Sequence, residues 1–350
     1  MRILITGGAG FIGSNYVQYV LNQHPTDEVV VLDKLTYAGN LENLSPVERN
    51  PRYHFVQGDV CDATLVDRLV KRMDAVVHFA AESHVDRSIQ DPSSFVRTNV
   101  LGTQVLLDAC RKAGGIRLHH ISTDEVYGSL GTDGAFTELT SYDPRSPYSA
   151  SKAGSDFLVR AAWHTHGLPV TISNCSNNYG PYQFPEKFIP LFVTNLLKNK
   201  KVPLYGDGMN IRDWIYVEDH CKGVDLVLRK GKLGETYCFG GRSERTNAEL
   251  TRLILFEMGF GKEMVEMVKD RPGHDRRYAI DPTKAETELG WKPETPFLYG
   301  LRKTIDWYRQ NEDWWRNIKS GEYLASDEQR YEAGESFVVS GKSSVARGSL

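Results

Sequence analysis

The chain contains 350 residues, 40% of them hydrophobic and 25% charged, and carries a formal net charge of -3. This length is sufficient for one large domain or two smaller ones around a substantial core. The small negative charge gives no electrostatic reason to expect a nucleic acid or an anionic membrane as partner.

Cysteine usage and the N-terminal sequence indicate a reducing compartment. The five cysteines are scattered singly and form no C-x-x-C pair, which argues against a disulfide framework or a zinc site. Residues 2–6 read RILIT with no basic leader, and no apolar window reaches the length of a transmembrane helix. We therefore expect a cytoplasmic protein with no bound metal and no membrane association.

The N-terminal stretch has the pattern of a dinucleotide-binding unit. Residues 2–6 predict a strand, and GGAGFIG at 7–13 then opens a helix whose glycines let backbone N–H groups approach a pyrophosphate. A second strand, 29–32, ends in Asp33, twenty residues after the last of these glycines. A carboxylate there accepts the ribose hydroxyls and repels a 2′-phosphate, which favours NAD over NADP. A purely structural turn is the alternative for the glycines alone, and Lys34 weakens the phosphate exclusion.

Strands and helices continue to alternate through residue 173. Such alternation is typical of βαβ units on a parallel sheet. We predict an α/β fold, in which a Rossmann-type doubly wound parallel sheet is joined by a smaller α/β substrate-binding domain. The predicted strands are 53–57, 75–79 and 116–121, and the predicted helices lie near 62–72, 91–111 and 147–165.

A hydroxyl and two carboxyls come together where the strand 116–121 ends, in the sequence STDEVYG at 122–128. Open parallel sheets bind ligands in the crevice beyond the carboxyl ends of their strands. Two adjacent carboxyls in such a crevice predict proton transfer to and from the ligand. The alternative is that Asp124 and Glu125 only begin or cap a solvated loop.

Tyr148 and Lys152 are spaced i, i+4 in the predicted helix 147–165 and therefore project from one face of it. A tyrosine with an ordinary pKa of about 10 is a poor base at neutral pH. One cation at close range lowers such a pKa by roughly one to three units, and a cationic nicotinamide would add to this effect. The pair predicts a tyrosine base assisted by a lysine, although Y-x-x-x-K also arises by chance on exposed helices.

The C-terminal half has a looser composition. A long loop at 177–187 is predicted to reach over a ligand, and the segment 270–277 is basic and rich in Pro and Gly. Trp307, Trp314 and Trp315 are expected to be core or interface anchors. The predicted helices lie near 188–198, 218–229, 283–289 and 297–310, and the predicted strands at 211–217 and 236–239.

Seven motifs together resemble the extended short-chain dehydrogenase/reductase family, and within it the dTDP-glucose 4,6-dehydratase branch. The resemblance covers roughly residues 1–330. GGAGFIG and YSASK are shared by many sugar-nucleotide epimerases and dehydratases, whereas the Thr-Asp-Glu triplet of STDEVYG is found in fewer members. The other motifs are FAAESHVDRS, NCSNNYGPYQFPEK, IRDWIYVEDH and RPGHDRRYAID.

The resemblance implies which residues bind the cofactor, which surround the substrate and which are catalytic. With Gly13 and Lys34 from the same stretches, NAD is expected at Gly7, Gly10, Phe11, Ile12, Asp33, Asp59, Val60, Ala80, Ala81, Asn99, Tyr148 and Lys152. The nucleotide sugar is expected at Ser83, Thr123, Asp124, Glu125, Asn178, Lys187, Arg212, Asn247, Arg271 and His274, with Asn177 and Glu186 as second contacts. The expected catalytic residues are Thr123, Asp124, Glu125, Tyr148 and Lys152.

The implied reaction is the dehydration of dTDP-glucose to dTDP-4-keto-6-deoxyglucose without net redox change. Tyr148, steadied by Lys152, would take the C4 hydroxyl proton while hydride passes to NAD, with Thr123 bonded to the same oxygen. Glu125 would then remove the C5 proton while Asp124, kept protonated by burial and by its negative neighbour, protonates the departing C6 hydroxyl. Hydride would finally return to C6.

The resemblance also implies a homodimer formed by helices near 92–113 and 148–166. The expected NAD-binding domain comprises 1–173 with roughly 211–240, and the expected nucleotide-sugar-binding domain comprises 174–210 and 241–325. Residues 335–350 are expected to be a flexible tail. The alternatives are a UDP-sugar 4,6-dehydratase, a 4-epimerase or decarboxylase with the same Tyr148 and Lys152, and a non-catalytic NAD-binding scaffold.

Overall fold

A computed structural model describes residues 1–270 and 275–321 of the chain. The predicted substrate contacts Arg271 and His274 and the predicted tail 335–350 lie outside the described residues. The strands of the described part are β1 (Arg2–Thr6), β2 (Glu28–Asp33), β3 (Tyr53–Gln57), β4 (Ala75–His78), β5 (Arg117–Thr123), β6 (Val170–Cys175), β7 (Asn177–Tyr179), β8 (Val202–Tyr205), β9 (Ile211–Tyr216), β10 (Thr236–Phe239), β11 (Glu244–Thr246) and β12 (Val265–Val268).

Helices connect most of these strands. The α-helices are α1 (Phe11–Gln23), α2 (Ala63–Val70), α3 (Val85–Gln90), α4 (Pro92–Phe95), α5 (Gly102–Lys112), α6 (Pro147–His166), α7 (Phe188–Leu197), α8 (Val217–Lys230), α9 (Asn247–Met258), α10 (Thr283–Leu289), α11 (Phe297–Gln310) and α12 (Glu312–Ser320). Short 3-10 helices lie at Leu41–Val47, Asp124–Tyr127 and Lys262–Met264, and a π-helix lies at Val96–Leu101. Within 1–270 and 275–321, every helix is too short or too polar to cross a bilayer.

The main sheet has seven strands in the order β10-β6-β5-β4-β1-β2-β3, and every pairing in it is parallel. Its two faces bury alternate side chains of the same strand. Ile3 and Ile5 of β1 pack in a cluster with side chains of α1 and α8, whereas Leu4 packs on the other face with side chains of α2 and α5. Helices on both faces of a parallel sheet confirm the predicted doubly wound α/β fold.

A smaller part of the fold packs beside the carboxyl ends of these strands. It contains the three-stranded sheet β11-β9-β7 and the two-stranded sheet β12-β8. Two strand assignments differ from prediction. Asn177–Tyr179, predicted as loop, pairs in parallel with β9, and β9, predicted to belong to the first domain, lies in this smaller sheet, whereas β10 joins the main sheet. A three-residue strand is defined by its partner and leaves little pattern in its own sequence.

The helix predicted near 91–111 is interrupted. Asp91 caps α4 by accepting from the backbone N–H of Ser93 at 3.2 Å, and the π-helix Val96–Leu101 then separates α4 from α5. A π-helix contains one more residue per hydrogen-bonded turn than an α-helix and is common at functional sites. Asn99 lies within this turn and is buried.

The long helix α6 begins and ends where its sequence predicts. Ser146 and Ser149 form a reciprocal capping box, Pro147 occupies the first turn, and Gly167 closes the helix in the left-handed region with φ of 62°. These signals fix the rotation of the helix, so that Tyr148 and Lys152 both face the sheet and are buried.

An aromatic cluster anchors the smaller part of the fold. Trp315 is fully buried, and its indole N–H donates to the carbonyl of Tyr308 at 2.9 Å. Trp314 and Trp307 pack in the same cluster, Trp314 buried and Trp307 partly so. The prediction that these tryptophans are anchors is confirmed.

Replacing Trp315 with Ala should lower the free energy of unfolding by about 3–5 kcal/mol, because it removes a fully buried ring and leaves a cavity. Denaturant unfolding measures the change. Leu139→Ala is the matched control, since Leu139 is 95% exposed, and it should alter stability by no more than about 0.5 kcal/mol. Equal losses in the two variants would contradict the assignment.

Candidate active site

A cleft of about 320 Å³ opens at the carboxyl ends of β1, β2, β4, β5 and β6. It collects residues that are far apart in the sequence. The predicted site residues that line it are Gly7, Gly10, Phe11, Ile12, Gly13, Asp33, Lys34, Asp59, Val60, Ala80, Ala81, Ser83, Thr123, Asp124, Glu125, Tyr148, Lys152, Asn177, Asn178, Glu186 and Lys187.

The turn between β1 and α1 requires its glycines. Gly7 has φ of 71°, and a Cβ there would lie 2.6 Å from the backbone nitrogen of Ala80. A Cβ on Gly13 would lie 2.2 Å from the carbonyl oxygen of Gly7. Among the described residues, no side chain caps α1 at Gly10, and its first turn contains no acidic residue. The positive end of the helix therefore suits an anion such as a pyrophosphate.

Asp33 closes β2 beside this turn. Its carboxylate accepts from the backbone N–H groups of Ala9 and Leu35, each at 2.9 Å. Burial raises the pKa of Asp33, although these backbone hydrogen bonds oppose the rise. Lys34 points to Asp59, with the ammonium 3.0 Å from the carboxylate. Because Lys34 is paired with Asp59, its charge is less available to attract a 2′-phosphate. The discrimination by Asp33 against a 2′-phosphate is therefore weakened less.

Asn99 does not line the cleft, in contrast to the predicted cofactor contact. Its amide oxygen accepts from the backbone N–H of Glu82 at 2.9 Å. Its amide nitrogen donates to the carbonyl of Glu82 at 3.0 Å and to the hydroxyl of Ser151 at 2.8 Å. Asn99 therefore fastens the wall segment after β4 to α6, and its side chain is used by these protein contacts.

The acidic pair follows β5 directly. Thr123 ends the strand and caps the 3-10 helix Asp124–Tyr127, its hydroxyl accepting from the backbone N–H of Glu125 at 3.3 Å. Asp124 is 2% exposed, and its Oδ2 has no hydrogen-bond partner in the part of the chain that the structure describes. Burial, and then the charge of Glu125, raise the pKa of Asp124 well above its ordinary value. This shift is in the direction that the predicted proton donor requires.

Tyr148 and Lys152 lie on α6 across from this pair. Burial, and then the charge of Glu125, raise the pKa of Tyr148 well above its ordinary value, whereas a hydrogen bond with Thr123 lowers it. Burial lowers the pKa of Lys152 to about 8. The Lys152 ammonium donates to the carbonyl of Ile121 at 2.7 Å. The residues of this chain thus favour a neutral phenol, the opposite of the shift that a tyrosine base needs, and a further positive charge has to supply the difference.

The far end of the cleft is bordered by the segments after β4 and β7. Lys187 donates to the carbonyl of Ser83 at 3.2 Å. Glu186 lies 3.6 Å from the His84 ring and 3.7 Å from the Arg87 guanidinium. These contacts tie the predicted loop 177–187 to the segment before α3.

Two predicted substrate contacts, Arg212 and Asn247, are not among the residues that line the cleft, although the charge of Arg212 lowers the pKa of Asp124. Arg212 donates to the carbonyls of Ile211 and Asp275, at 2.7 and 3.0 Å, and its guanidinium stacks 4.2 Å from the ring centre of Tyr278. Asn247 starts α9, and its backbone N–H donates to the carbonyl of Asn210 at 2.9 Å. Both side chains are buried in the protein.

Sequence reasoning missed an aromatic rim. Tyr37 and Phe184 line the cleft, with their ring centres 5.6 Å apart in an edge-to-face arrangement. The Arg87 guanidinium lies 3.8 Å from the Tyr37 ring centre. The position of Tyr37, four residues past the end of β2, is the signal that could have located it, because this segment must leave the sheet at the ligand-binding edge.

Comparison with known proteins agrees with this arrangement. The sequence pattern of the family described as GDP-mannose 4,6 dehydratase matches residues 4–304. The chain belongs to this family. A dTDP-glucose 4,6-dehydratase of Streptomyces antibioticus is 56% identical over 324 residues, which cover 91% of this chain and 96% of that protein. One from Escherichia coli is 51% identical, covering 95% of this chain and 99% of that protein.

Solved structures of this dehydratase family superpose closely. The crystal structure of a dTDP-glucose 4,6-dehydratase from Streptomyces venezuelae with NAD and dTDP bound has a TM-score of 0.89 and 54% identity, covering 91% of this chain and all of that one. A UDP-glucose 4-epimerase from Thermotoga maritima has a TM-score of 0.83 and 31% identity, covering 89% of this chain and 99% of that one. The fold is thus shared with epimerases, and the dehydratases are closer in sequence.

Replacing Asp33 with Asn should narrow the preference for NAD over NADP by about tenfold or more. The amide keeps an acceptor for the Ala9 N–H but loses the charge that repels a 2′-phosphate. Binding titrations with both dinucleotides measure the ratio. Asp62→Asn, which alters the cap of α2 outside the cleft, should leave the ratio unchanged; an unchanged ratio in Asp33→Asn would contradict the role.

Proposed function

We propose that this chain is an NAD-dependent dehydratase that converts dTDP-glucose to dTDP-4-keto-6-deoxyglucose. The observation that carries the proposal is the buried acid Asp124 beside Glu125, across the cleft from Tyr148 and Lys152. A 4-epimerase requires the tyrosine and lysine but has no use for an acid and a base at C5 and C6. The 50–56% identity to dTDP-glucose 4,6-dehydratases supports the dehydratase over the epimerase.

The cleft provides a place for NAD that fits the residues present. The turn after β1 and the positive end of α1 would hold the pyrophosphate, and Asp33 would accept the adenosine ribose hydroxyls. Asp59 and Val60 would lie at the adenine, and Ala80 and Ala81 along the cofactor. When bound, NAD accepts a hydride from C4 and later returns it to C6, so that none is consumed.

Substrate oxidation is assigned to the side chains of β5 and α6. Tyr148 takes the proton of the C4 hydroxyl as that carbon loses hydride, and Thr123 hydrogen-bonds the same oxygen. The buried ammonium of Lys152 favours the phenolate. Burial and the charge of Glu125 raise the pKa of Tyr148, so the positive charge of a bound oxidised cofactor would have to lower it before the phenol could act as a base.

Water elimination is assigned to the acidic pair. The C4 ketone acidifies the C5 hydrogen, which Glu125 removes as base. Asp124, protonated because of its burial, donates to the C6 hydroxyl, which leaves as water. Glu125 returns its proton to C5 as hydride reaches C6. The balance is the loss of one water with no net oxidation.

Three finer assignments belong to the same proposal. A cytoplasmic location is supported by the five unpaired cysteine thiols. A homodimer is supported by exposed apolar side chains on the faces formed by α3 to α6, namely Ile89, Val96, Leu101 and Phe157. A two-domain division, with the main sheet holding NAD and the smaller sheets holding the nucleotide sugar, is supported by the strand pairing.

Incubation of the purified protein with dTDP-glucose, and separately with UDP-glucose, tests the function. The dTDP product should have lost one water by mass spectrometry, and added NAD should remain oxidised at the end. A product of unchanged mass would indicate an epimerase, stoichiometric formation of NADH would indicate a dehydrogenase, and equal turnover of the UDP sugar would contradict the nucleotide assignment.

Neutralising Glu125 and neutralising Asp124 should each block a different step of the reaction. Glu125→Gln should abolish incorporation of solvent deuterium at C5, because no base remains to exchange that hydrogen. Asp124→Asn should still form NADH in a single turnover but should release water about a hundredfold more slowly, within the range of general acid catalysis. Undiminished C5 exchange in Glu125→Gln, or equal slowing of NADH formation and water release in Asp124→Asn, would contradict these roles.

A further inference from the structure

Beneath the cleft, three consecutive residues of β5 each contact α6. The carbonyl of Ile121 accepts from the Lys152 ammonium at 2.7 Å. The hydroxyl of Ser122 donates to Asp156 Oδ2 at 2.7 Å. The Nε2 atom of His120 lies 3.2 Å from Asp156 Oδ1. Asp156 follows Lys152 by one turn of the helix, so both project to the same side of α6.

Asp156 is a buried carboxylate in its ionised form. It is 0% exposed, and its Oδ2 accepts a second hydrogen bond, from the hydroxyl of Tyr142 at 2.8 Å. Burial opposes its ionisation, but His120, Lys152 and Ser122 outweigh that effect and hold the pKa of Asp156 below its ordinary value. An ionised carboxylate away from water requires a cation nearby.

His120 is not that cation. Burial, followed by the charge of Lys152, lowers the pKa of His120 to about 4, so the ring is neutral near pH 7. Ser155 donates its hydroxyl proton to the carbonyl of Lys152 at 2.7 Å. Its oxygen, 3.2 Å from His120 Nε2, can therefore only accept. The same nitrogen lies 3.4 Å from the Lys152 ammonium and 3.2 Å from Asp156 Oδ1.

The Lys152 ammonium is the cation that lowers the pKa of Asp156. Arg160, one turn further along α6, donates to the Tyr142 hydroxyl at 3.1 Å. The titratable groups that act on it or respond to it from the packed elements are Asp156 on α6, His120 on β5, His78 on β4 and Cys175 on β6. Burial keeps both histidines neutral, and it keeps the Cys175 thiol protonated by raising its pKa to about 12. Of these groups, Asp156 alone carries a negative charge.

We propose that Asp156 is the buried counterion of Lys152, with neutral His120 as the spacer between them. The His120 Nε2 atom lies 3.4 Å from the Lys152 ammonium and 3.2 Å from Asp156, so the two charges are close without direct contact. Asp156 is a positioning residue: it touches neither substrate nor cofactor, and it keeps the ammonium charged beside Tyr148. The effect of Asp156 on catalysis rests on the proposed function. The coupling between the charges of Asp156 and Lys152 does not depend on that function.

Lysine 13Cε NMR titration of the whole chain tests the coupling without substrate. The Lys152 resonance is assigned by its absence in Lys152→Arg. In Asp156→Asn its midpoint should fall from about 8 by about one pH unit, because an opposite charge at close range has been removed. Tyr142→Phe, which deletes one hydrogen bond to Asp156 but keeps its charge, should leave the midpoint in place. An unmoved midpoint in Asp156→Asn would overturn the proposal.

A reciprocal variant keeps the test valid if Asp156→Asn does not fold. Coupling between two sites is mutual, and the Lys152 charge opposes protonation of Asp156. In Lys152→Met, which has a similar chain length and no charge, the midpoint of the Asp156 carboxyl should rise, because a cation that favours its ionised form has been removed. Its 13Cγ resonance is assigned by its absence in Asp156→Glu. A midpoint that stays in place or falls would overturn the proposal.

The coupling should also shift the alkaline limb of the pH–rate profile of sugar oxidation in Asp156→Asn. Oxidation of the sugar needs the Lys152 ammonium, so its rate should decline as pH rises through the lysine pKa. In Asp156→Asn this decline should begin about one pH unit lower, and a purely structural defect would lower the rate at every pH instead. If the Lys152 midpoint moves in Asp156→Asn but the protein makes no 4-keto sugar, only the proposed function is contradicted. If the protein is an active dehydratase but the midpoint does not move, only this inference is contradicted.

Discussion

The buried junction between β5 and α6 is the interaction on which the site depends. β5 ends in the hydroxyl of Thr123 and leads directly into the two carboxyls, and α6 carries the phenol and the ammonium, so neither element is sufficient alone. The hydrogen bonds from Lys152 to Ile121 and from Ser122 to Asp156 fix the helix against the strand. β5 is also paired on both sides, with β4 and β6. A slip of one residue would turn Thr123 to the other face of the sheet.

Desolvation is the common cause of the electrostatic pattern in this junction, and its effect on each group is different. It favours the neutral form throughout, which prepares Asp124 as an acid but works against Tyr148 as a base and against the charge of Lys152. In the proposed reaction, Tyr148 would stay a neutral phenol until the cationic cofactor is bound. The base and the hydride acceptor would then become available together.

Features encoded in short stretches of sequence were predicted well. The apolar strands, the glycine turn, the position of Asp33 and the start of α6 at Pro147 each depend on neighbouring residues, and the structure agrees with all four. The acidic pair could be placed at the ligand-binding edge because it directly follows a strand. The raised pKa of Asp124 follows from the same placement, since the end of a central strand is buried.

Features that depend on distant partners were not predictable. Asn177–Tyr179 becomes a strand only because β9 lies beside it. Asn99 and Arg212 match family positions, but a motif does not give the protein contacts of a side chain, which here join Asn99 to Ser151 and Arg212 to Asp275. The contacts of Asp156 with His120 and Ser122 join residues more than thirty positions apart, so no window of the sequence could reveal them.

The π-helix at Val96–Leu101 depends more on the number of residues in this segment than on which residues they are. Its wider turn accommodates a residue that a regular α-helix would have no room for, and Asn99 reaches both Glu82 and Ser151 from within it. Deleting one residue of this turn would let the helix wind regularly and would move Asn99 from the position in which it reaches both partners. The segment after β4 would then lose its link to α6.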